Sequence, residues 1–571
     1  MLKEKIQKTA RIYALQNAVQ FNGKANPKAV VGKVIAALQK EGFSPKEIIP
    51  IISSVTSEVN KMSLEKQTIE LGKIAPELLK KEKKERDFTL PKLPHAEKGK
   101  VITRFPPEPN GYLHIGHAKA AIVDYEYARM YDGRFILRFD DTNPENAHLE
   151  FYDAQRHDLK WLGIEWDKEY NTSDNIEKHY KFAEQLIKQG DAYVCTCDTD
   201  FIKECRFKGM ECDCRHIDYR NSIDVWREMI SSSLEGAILR LKGDMICDNT
   251  AMRDPTLFRI IEKEHPIQGD KYRVWPTYDF SGAVEDSISG VTHPFRTKEY
   301  ELRDECYFKL LDLLNLRKPY LMEFARLSIE GMPVSKRKIK PLIEKGDVLG
   351  YDDIRLPTLR GLKKRGILPQ AIKQFILKQG ISKVESSVDF SLLEAANRKI
   401  IDPITKRYFF VRDPIRLVID NAPKKDKKID FHPGKKKLGS RSIKTGKIFY
   451  IQKSDMNKLK VGDIFRLKDL YNVRIKKKNS QVFGEYIGDK LISDSAKIQW
   501  TTDNYIKLNV FIPHLLYIGE KFNKDSLERV DGIAEEAVTS LKTDEIVQFE
   551  RFGFVRIENV DNKINGFFAH K

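Results

Sequence analysis

The first 87 residues place apolar side chains at the spacing of an amphipathic helix. The positions recur every three or four residues, as in the series Ile12, Leu15, Val19, Val30, Val34, Ile35 and Leu38. This period predicts helices that bury one face. A charged run from Lys80 to Asp87 follows, with Pro91 and Pro94 beyond it. A charged run is usually a solvated face, but the neighbouring prolines favour a linker, so we predict a helical N-terminal domain and linker over residues 1–97.

After Lys100 the pattern changes to short apolar runs on either side of a longer helical stretch. Residues 101–105 are typical of a buried strand, 106–112 of a proline-rich loop, 115–130 of a helix and 134–139 of a second strand. A strand, a helix and a strand in such close succession form a βαβ unit. We therefore expect a parallel sheet whose ligand site lies at the carboxyl ends of its strands.

Beyond Asn397 the chain consists of short runs typical of β-strands, broken by glycine, proline and lysine. Residues 506–510 alternate between apolar and polar side chains, and residues 552–557 form another strand-like run. Many short strands of this kind predict one or two β-barrels over residues 398–571.

The composition is that of a large folded chain, with 571 residues of which 41% are hydrophobic and 32% charged. At roughly 150 residues per domain, that length suggests about four domains. The formal net charge of +17 favours a polyanionic partner, nucleic acid before a membrane. No run approaches the ~18 apolar residues of a membrane span, and the N-terminus lacks the apolar core of a signal peptide. Five of the seven cysteines cluster between residues 195 and 214, unlike a disulfide framework, so we expect a cytoplasmic protein.

The sharpest motif for chemistry is the segment RFPPEPNGYLHIGHAK, residues 104–119, in which a strand ends in a proline-rich loop. His114 and His117 then lie at the mouth of a helix, where unpaired N–H groups and the helix dipole suit a phosphate. Two imidazoles and Lys119 could stabilise negative charge that grows on a phosphoryl group, and Gly116 leaves room for a flat base. The plain alternative is a pair of surface histidines at a helix start.

A second basic segment lies between Gly331 and Pro341. Ser335, Lys336 and the two basic residues that follow predict a mobile loop. A lysine there can neutralise leaving pyrophosphate, a gain that is realised mainly in the transition state. Lysine-rich loops taken alone are mostly just solvated, so the pairing with the first motif is what makes Lys336 a candidate.

Both segments resemble the signatures of class I aminoacyl-tRNA synthetases. Residues 104–119 are similar to the HIGH motif in the form shared by glutamyl- and glutaminyl-tRNA synthetases, and PVSKRKI, residues 333–339, stands where that family has its KMSKS loop. The family's usual methionine before the serine is Val334 here, a change that concerns loop packing. Similarity extends over LRFDDTNP at 137–144, WPTYDF at 275–280 and YDDIRLPTLRG at 351–361. It is specific over residues 98–365, and both ends of the chain also resemble the archaeal-type glutamyl enzymes.

The resemblance implies a multidomain α/β architecture. A Rossmann-type parallel-sheet catalytic domain is expected over residues 98–340, with an inserted acceptor-stem-binding domain at about 180–274. A helical connector over residues 341–397 would lead to the anticodon-binding β-barrels of residues 398–571.

The resemblance also implies the reaction, which is the ligation of L-glutamate to tRNA(Glu) through a glutamyl adenylate made from ATP, with Mg²⁺ on the triphosphate. Catalysis is expected from His114, His117 and Lys336. The residues expected around ATP are Glu108, Pro109, Asn110, His114, Gly116, His117, Lys119, Thr297, Arg326, Leu327, Val334, Ser335 and Lys336. Those expected around the amino acid are Arg104, Asp140, Tyr278 and Arg296. The structural alternatives are Asp140 as a helix N-cap and Tyr278 as a core ring.

Arg296 bears on which amino acid is used. By the resemblance, glutamyl enzymes carry an arginine at this position and glutaminyl enzymes a small neutral residue. Burying a substrate carboxylate is costly unless a cation meets it, and a guanidinium offers a two-pronged match. Glutamine would leave Arg296 without a counter-charge, so we predict that glutamate is activated. For Arg296 itself, the alternative is an exposed surface arginine. For the function, the alternatives are a glutaminyl-tRNA synthetase, an enzyme that also charges tRNA(Gln) with glutamate, and a non-catalytic paralogue. The two intact signatures argue against the last of these.

A cluster of cysteines predicts a metal site. Its members resemble a four-thiolate zinc site, and they are Cys195, Cys197, Cys212 and Cys214, with Cys205 and His216 nearby as substitutes. The C-x-C spacing is less common than C-x₂-C, so a cluster of reduced, packed thiols is an equal alternative. Zinc here would brace the inserted domain and take no part in catalysis.

Lysine clusters mark the C-terminal region at residues 424–428, 435–437 and 476–478. Lysines would track tRNA phosphates, and aromatic rings could stack on unpaired anticodon bases. The interleaved rings are Tyr408, Phe409, Phe410, Phe449 and Tyr450. We favour the alternative that most of these rings belong to barrel cores.

Overall fold

The computed structural model describes residues 2–21, 23–38, 45–78, 90–231, 234–561 and 563–571. It divides into two compact units, residues 1–87 and 88–571. In the described part of the chain, no helix is both long and apolar enough to cross a membrane.

The first unit is helical, as predicted. Its helices are α1 (Leu2–Gln20), α2 (Pro27–Leu38), α3 (Pro45–Asn60) and α4 (Leu64–Ile74). Leu15, Val34 and Ile52 are fully buried in one shared core. Apolar residues that recur at the helical period therefore face the interior of this unit. The Ser63 side chain accepts a hydrogen bond from the backbone of Lys66 and caps α4. The charged run at residues 80–87 lies outside the described residues.

The segment that follows the charged run packs on the second unit. The backbone N–H of Leu93 donates to the Tyr131 hydroxyl at 2.9 Å, and the Tyr127 hydroxyl donates to the carbonyl of Pro91 at 3.0 Å. Leu93 is only 6% exposed. The described residues 90–97, which we predicted as linker, therefore belong to the body of the second unit.

The catalytic region begins with the predicted βαβ unit. It contains β1 (Ile102–Phe105), α5 (Ile115–Met130), β2 (Arg134–Phe139), α6 (Leu149–Trp161) and β3 (Lys168–Asn171). The three strands form a parallel sheet in the order β1-β2-β3, with Ile102 opposite Arg134 and Ile136 opposite Lys168. Parallel pairing brings the carboxyl ends of all three strands to one edge, which confirms the predicted topology.

An antiparallel sheet and three helices interrupt this α/β region. The elements are α7 (Ile176–Gln189), β4 (Ala192–Cys195), α8 (Thr199–Lys208), α9 (Tyr219–Ile230), β5 (Ile238–Leu241), β6 (Thr256–Ile260) and β7 (Val274–Pro276). The strand order is β4-β5-β6-β7. Trp226 and Phe258 form the centre of its core, and Phe280 of the following helix packs into the same core.

The chain then returns to the catalytic region. Its elements are α10 (Tyr278–Ile288), β8 (Phe295–Thr297), α11 (Asp304–Leu313), β9 (Met322–Phe324), β10 (Leu327–Ile329), α12 (Lys336–Glu344), α13 (Leu359–Arg365), α14 (Pro369–Gln379), β11 (Ser386–Val388) and α15 (Ser391–Ile401). Strand β8 pairs with β9 and β10 with β11, both in parallel. Ile372 and Leu393 of the connecting helices share a core with Ile122 of α5, so these helices pack against α5.

The C-terminal region is built of short strands. They are β12 (Arg407–Tyr408), β13 (Phe410–Arg412), β14 (Pro414–Ile419), β15 (Lys425–Asp430), β16 (Ser440–Thr445), β17 (Ile448–Gln452), β18 (Ile464–Leu467), β19 (Asn472–Lys478), β20 (Val482–Gly488), β21 (Ala496–Ile498), β22 (Trp500–Thr502), β23 (Tyr505–Pro513), β24 (Tyr517–Ile518), β25 (Lys521–Phe522), β26 (Leu527–Glu535), β27 (Ile546–Phe549), β28 (Gly553–Val560) and β29 (Lys563–His570), with α16 (Lys453–Asn457) after β17.

Most of these strands form two seven-stranded sheets, each with its own core. One sheet has the order β21-β18-β19-β20-β14-β17-β22, and the other β12-β27-β28-β29-β23-β26-β13. In each sheet the two outermost strands follow one another in the chain, with only Gln499 or Phe409 between them. The two edges of each sheet therefore meet, and the sheets are nearly closed barrels, as predicted.

The aromatic rings at the start of this region belong to the barrel cores. Tyr408, Phe409, Phe410 and Phe449 are at most 2% exposed. These rings are therefore core residues, and only Tyr450 of the series is partly exposed. The lysines of residues 435–437 are exposed, as phosphate contacts require.

Candidate active site

The two histidines of the first motif hold the start of α5. His114 is the N-cap, and its Nδ1 accepts hydrogen bonds from the backbone N–H groups of Gly116 at 3.1 Å and His117 at 3.3 Å. In return, Nδ1 of His117 accepts from the backbone N–H of His114 at 3.3 Å. The two rings stack with centroids 3.8 Å apart. Because both Nδ1 atoms act as acceptors, the ring hydrogen of each neutral imidazole lies on Nε2, where it can be donated to a ligand.

Both histidines are held in the neutral form. Desolvation lowers the pKa of His114 well below its usual value, and the charges of His117 and Arg326 add to the effect. Desolvation together with Arg326 lowers the pKa of His117 to about 4. The pair therefore offers hydrogen-bond donors and no permanent positive charge at neutral pH.

Gly116 is required by the close stacking of the histidines. A Cβ at this position would lie 2.9 Å from Cε1 of His114 and 3.4 Å from Cγ1 of Val334. The first distance is too short for any side chain. The second shows that the segment with the second signature lies against the first, so the two signatures meet at the start of α5.

The second basic segment is a helix start and not the loop that we predicted. Lys336 is the first residue of α12, and Pro341 lies inside this helix. Pro341 is the sixth residue of this nine-residue helix, where it removes one backbone hydrogen-bond donor. Lys336 approaches the first signature, with its Cδ 3.8 Å from the position of a Cβ on Gly111. A lysine at the positive end of a helix dipole is unfavourable by itself, and a polyanion placed there relieves the conflict.

Lys336 also lies close to the carboxylate of Glu108. Desolvation lowers the pKa of Lys336, and the attraction of Glu108 opposes that change. Burial likewise raises the pKa of Glu108, which accepts a hydrogen bond from Asn146. The loop of residues 108–110 therefore faces the start of α12.

Lys119 is placed differently from the expectation that it meets phosphate. Its side chain is buried, and its Nζ donates to the backbone carbonyl of Ala325 at 2.7 Å. This contact ties α5 to the segment that carries Arg326 and Leu327. Arg326 itself is largely exposed and forms an ion pair with Glu299 at 2.7 Å. Thr297 is the last residue of β8 and lies two positions before Glu299 in the chain.

The other predicted residues surround a buried network of charges. Nε and Nη2 of Arg104 each donate to a different oxygen of Asp286 at 3.0 Å, and Nη1 donates to the carbonyl of Phe295 at 2.8 Å. Arg138 donates to the same carboxylate at 2.8 Å. Burial alone would raise the pKa of Asp286, but the two arginines lower it to about 2. Asp286 is therefore a permanent anion between two permanent cations.

Asp140 lies at the edge of this network with one oxygen left over. Its Oδ1 accepts from Arg138 at 3.2 Å and from the hydroxyl of Thr172 at 2.8 Å. Its Oδ2 is buried and has no hydrogen-bond partner among the described residues, and the same holds for Nη2 of Arg138. Unsatisfied buried charges of both signs at one place suit a zwitterionic ligand. Asp140 is not a helix N-cap, because it follows β2 in an irregular segment.

Arg296 is buried, which excludes the alternative of a surface arginine. Only 4% of the residue is exposed. Its guanidinium carbon lies 4.4 Å from the ring centroid of Tyr307 and 5.5 Å from that of Tyr278. Nη1 donates to Asp304 at 3.3 Å, whereas Nε has no partner among the described residues. Tyr278 is only partly buried, so it is not a core ring.

Sequence reasoning missed Arg138, Asp286 and Tyr307 as members of this pocket. Arg138 stands within the motif LRFDDTNP, so its position was in view, but no local pattern says that its side chain points inward. Asp286 lies 182 residues from Arg104 in the chain, and only the tertiary fold joins them.

The predicted metal ligands come together as a group. The sulfur atoms of Cys195, Cys197, Cys212 and Cys214 all lie within 4.8 Å of one another. The distance is 3.9 Å between Cys195 and Cys212, and 3.7 Å between Cys197 and Cys214. Thiolates about 2.3 Å from a tetrahedral zinc ion are spaced in this way, so the donor set fits zinc. The proposed substitutes are not part of the group.

The fold and the site together define a class I tRNA synthetase. The family model described as "tRNA synthetases class I (E and Q), catalytic domain" matches residues 100–403. Two models described as "tRNA synthetases class I (E and Q), anti-codon binding domain" match residues 405–488 and 491–558. The chain belongs to this family, which confirms the resemblance.

Curated relatives match the chain from end to end. The glutamate–tRNA ligase of Nitrosopumilus maritimus (strain SCM1) is 44% identical over 573 residues, covering 100% of both chains. That of Pyrococcus furiosus is 42% identical over 584 residues and covers 99% of this chain and 100% of the relative. That of Korarchaeum cryptofilum (strain OPF8) is 41% identical over 564 residues, covering 96% of each.

Proposed function

We propose that this chain ligates L-glutamate to tRNA(Glu) at the expense of ATP. It belongs to the family of E and Q synthetases, and full-length relatives are glutamate–tRNA ligases. The observation that carries the choice of glutamate is the buried guanidinium of Arg296, whose Nε has no partner among the described residues. A side-chain carboxylate offers such a group two acceptors and a counter-charge, whereas the amide of glutamine brings N–H donors toward it.

The reaction needs no nucleophile from the protein. In the first step an oxygen of the α-carboxylate of glutamate bonds to the α-phosphorus of ATP, and the bond to the bridging oxygen of pyrophosphate breaks. In the second step a hydroxyl of the terminal ribose of tRNA attacks the acyl carbon, AMP leaves and the hydroxyl proton is given up. Positioning and charge stabilisation therefore supply the rate.

The start of α5 and the start of α12 form the ATP side. His114 and His117 donate through Nε2 to phosphate oxygens, and Lys336 neutralises the departing pyrophosphate. Mg²⁺, as expected for the family, neutralises part of the triphosphate charge. The further residues of this side are Glu108, Pro109, Asn110, Gly116, Thr297, Arg326, Leu327, Val334 and Ser335, with Lys119 in support through the carbonyl of Ala325.

The buried charge network forms the amino-acid side. The free oxygen of Asp140 receives the ammonium group of glutamate, and Arg296 receives the side-chain carboxylate with help from Tyr278. Arg104 maintains the pocket through Asp286. Arg138, with its unpartnered Nη2, is an added member of this side.

The tRNA is held at both of its ends. The antiparallel insertion at about residues 180–274 receives the acceptor end beside the catalytic domain of residues 98–340. The connector of residues 341–397 leads to the barrels of residues 398–571, where the anticodon-binding family models match. Exposed lysines there supply phosphate contacts. Charging of tRNA(Gln) with glutamate is the alternative substrate range, and the cytoplasm is the proposed compartment.

Zinc is the proposed ligand of the four-cysteine group in the insertion. A four-thiolate site leaves no open position for substrate, so the ion would supply folding energy and no chemistry. Cys195 ends β4, and Cys212 and Cys214 belong to the segment between α8 and α9. Zinc would therefore tie the sheet of the insertion to its helices.

Pyrophosphate exchange tests the proposed function. The purified chain is assayed with glutamate and with glutamine, each with and without tRNA. Exchange that depends on glutamate is the expected result. Exchange that occurs with glutamine and not with glutamate would favour the glutaminyl-tRNA synthetase alternative. The absence of exchange under all four conditions would favour a non-catalytic paralogue.

A further inference from the structure

The carboxylate of Asp304 anchors the guanidinium of Arg296 from one side. Asp304 is the first residue of α11, and its Oδ1 lies 3.3 Å from Nη1 of Arg296. The guanidinium of Arg296 makes no other hydrogen bond among the described residues. Asp304 is thus the acceptor in the described part of the chain that fixes the orientation of this buried side chain.

A second carboxylate lies close by and is paired through one of its oxygens. Strands β8 and β9 pair in parallel with Arg296 opposite Glu323. Oε2 of Glu323 forms an ion pair with Lys383, whereas Oε1 is buried without a hydrogen-bond partner among the described residues, and neither oxygen accepts a hydrogen bond from Arg296. Burial raises the pKa of Asp304 to about 6 against the opposing attraction of Arg296, and Glu323 adds to the rise. The hydrogen bond from Nη1 of Arg296 is the contact that favours the ionised form of Asp304.

The hydrogen bond to Asp304 leaves the edge of the Arg296 guanidinium that carries Nε and Nη2 available for a ligand. Arg104 shows how that edge works, because its Nε and Nη2 together grip the two oxygens of Asp286. In Arg296 the same pair of donors makes no hydrogen bond to a carboxylate of the described residues, although the charge of Asp286 acts on this guanidinium. The opposite nitrogen, Nη1, is the one that donates to Asp304. The rings of Tyr278 and Tyr307 limit the remaining movement.

We propose that Asp304 is a positioning residue for glutamate specificity, which turns the Nε and Nη2 edge of Arg296 toward the side-chain carboxylate of the substrate. The inference rests on the proposed function. Asp304 acts through Arg296 and touches no reacting atom. Without its anchor the guanidinium can rotate, and the two-pronged contact with the substrate carboxylate is made only part of the time.

The test separates position from charge with two variants. Asp304→Ala removes the acceptor, and Asp304→Asn keeps an oxygen acceptor of the same shape without the charge. We expect Ala to raise the KM for glutamate about 10-fold or more, in line with the worth of a hydrogen bond to a charged group, with kcat and the KM for ATP nearly unchanged. Asn should restore the KM for glutamate to within about threefold of the native value.

Asp312→Ala is the matched control, because Asp312 lies in the same helix, is exposed and, among the described residues, forms an ion pair with Lys318 alone. It should leave all constants unchanged. An unchanged KM for glutamate in Asp304→Ala would overturn the inference, and so would equal losses in Ala and Asn, which would assign the effect to charge. The native enzyme is measured alongside: its failure to activate glutamate would overturn the proposed function, whereas native activity with an unaffected Asp304→Ala would overturn only the role of Asp304.

Discussion

The two sides of the proposed site use charge in opposite ways. On the amino-acid side, Arg104 and Arg138 are permanent cations locked onto the permanent anion Asp286. On the ATP side, His114 and His117 are neutral, and the cation Lys336 stands at the start of a helix. A rigid set of charges suits a substrate group, the side-chain carboxylate of glutamate, whose charge does not change during the reaction. Neutral donors with cations at the periphery suit a charge that grows and then departs.

The contrast follows from what each side must do. The side-chain carboxylate of glutamate stays ionised throughout, so a fixed counter-charge can select it from the start. Pyrophosphate must leave, and a buried cluster of cations would bind the product as well as the transition state. Only interactions that strengthen in the transition state speed the step. The neutral imidazoles are therefore the more useful groups on the ATP side.

The largest predicted effect comes from removing charge on the amino-acid side. Arg296→Cys should lower kcat/KM for glutamate by about 10³-fold, because the substrate carboxylate is then buried without a cation. Steady-state pyrophosphate exchange measures this, and glutamine should become a weak substrate of the variant. Arg326→Ala, which removes an exposed arginine of the ATP side, serves as the comparison and should not alter the preference for glutamate. An unchanged kcat/KM for glutamate in Arg296→Cys would contradict the claim that fixed charge selects the substrate on the amino-acid side.

The next effect comes from removing a neutral donor on the ATP side. His114→Ala and His117→Ala should each lower kcat of adenylate formation by about 10²-fold, the usual cost of one preorganised donor. The KM for glutamate should stay within about twofold, because neither ring faces the amino acid. A near-normal exchange rate in the double variant would show that the histidines only cap the helix.

The protonation state of the histidines sharpens the comparison. The pKa of His117 is lowered to about 4, so its neutral form should persist as the pH falls from 8 to 5 and be lost only near pH 4. NMR of chain labelled with ¹⁵N-histidine, assigned by comparison with His117→Ala, follows this directly. A signal of His117 that titrates near the ordinary value of 6.5 would contradict the lowered pKa and would show that burial does not hold this ring in its neutral form.

The smallest effect on activation is expected from a region that belongs to neither side. Cys197→Ser should lower the zinc content from about one ion per chain and reduce the thermal stability of the insertion. Exchange of pyrophosphate should stay within about threefold of native, because the cysteines lie outside both substrate sides. Elemental analysis and thermal unfolding measure the outcome, and a well-folded native chain without metal would favour packed thiols.

The sequence was sufficient for the elements whose causes are local. The strand and helix of the first motif and the helices of the first unit follow from apolar spacing, and the predicted bounds of α5 and β2 agree with the structure. The segment at Lys336 was predicted as a loop because it lies between Gly331 and Pro341, yet α12 begins at Lys336 and contains Pro341.

Long-range contacts were beyond the reach of sequence patterns. The sequence suggested that Lys119 meets phosphate, but the fold turns it inward to the carbonyl of Ala325, which is 206 residues away in the chain. The ion pair between Arg104 and Asp286 likewise joins two residues that are far apart in the chain. A sequence motif can identify which residues lie near a site. The direction of each side chain also depends on which distant segment packs against it.

The most direct test of the central claim is a competition for tRNA. The native chain is given ATP, tRNA and an equal mixture of glutamate and glutamine, and the amino acid released from the charged tRNA is identified by mass spectrometry. The buried, partly unpaired guanidinium of Arg296 predicts that essentially all of the charged tRNA carries glutamate. Charged tRNA that carries mainly glutamine would contradict the account.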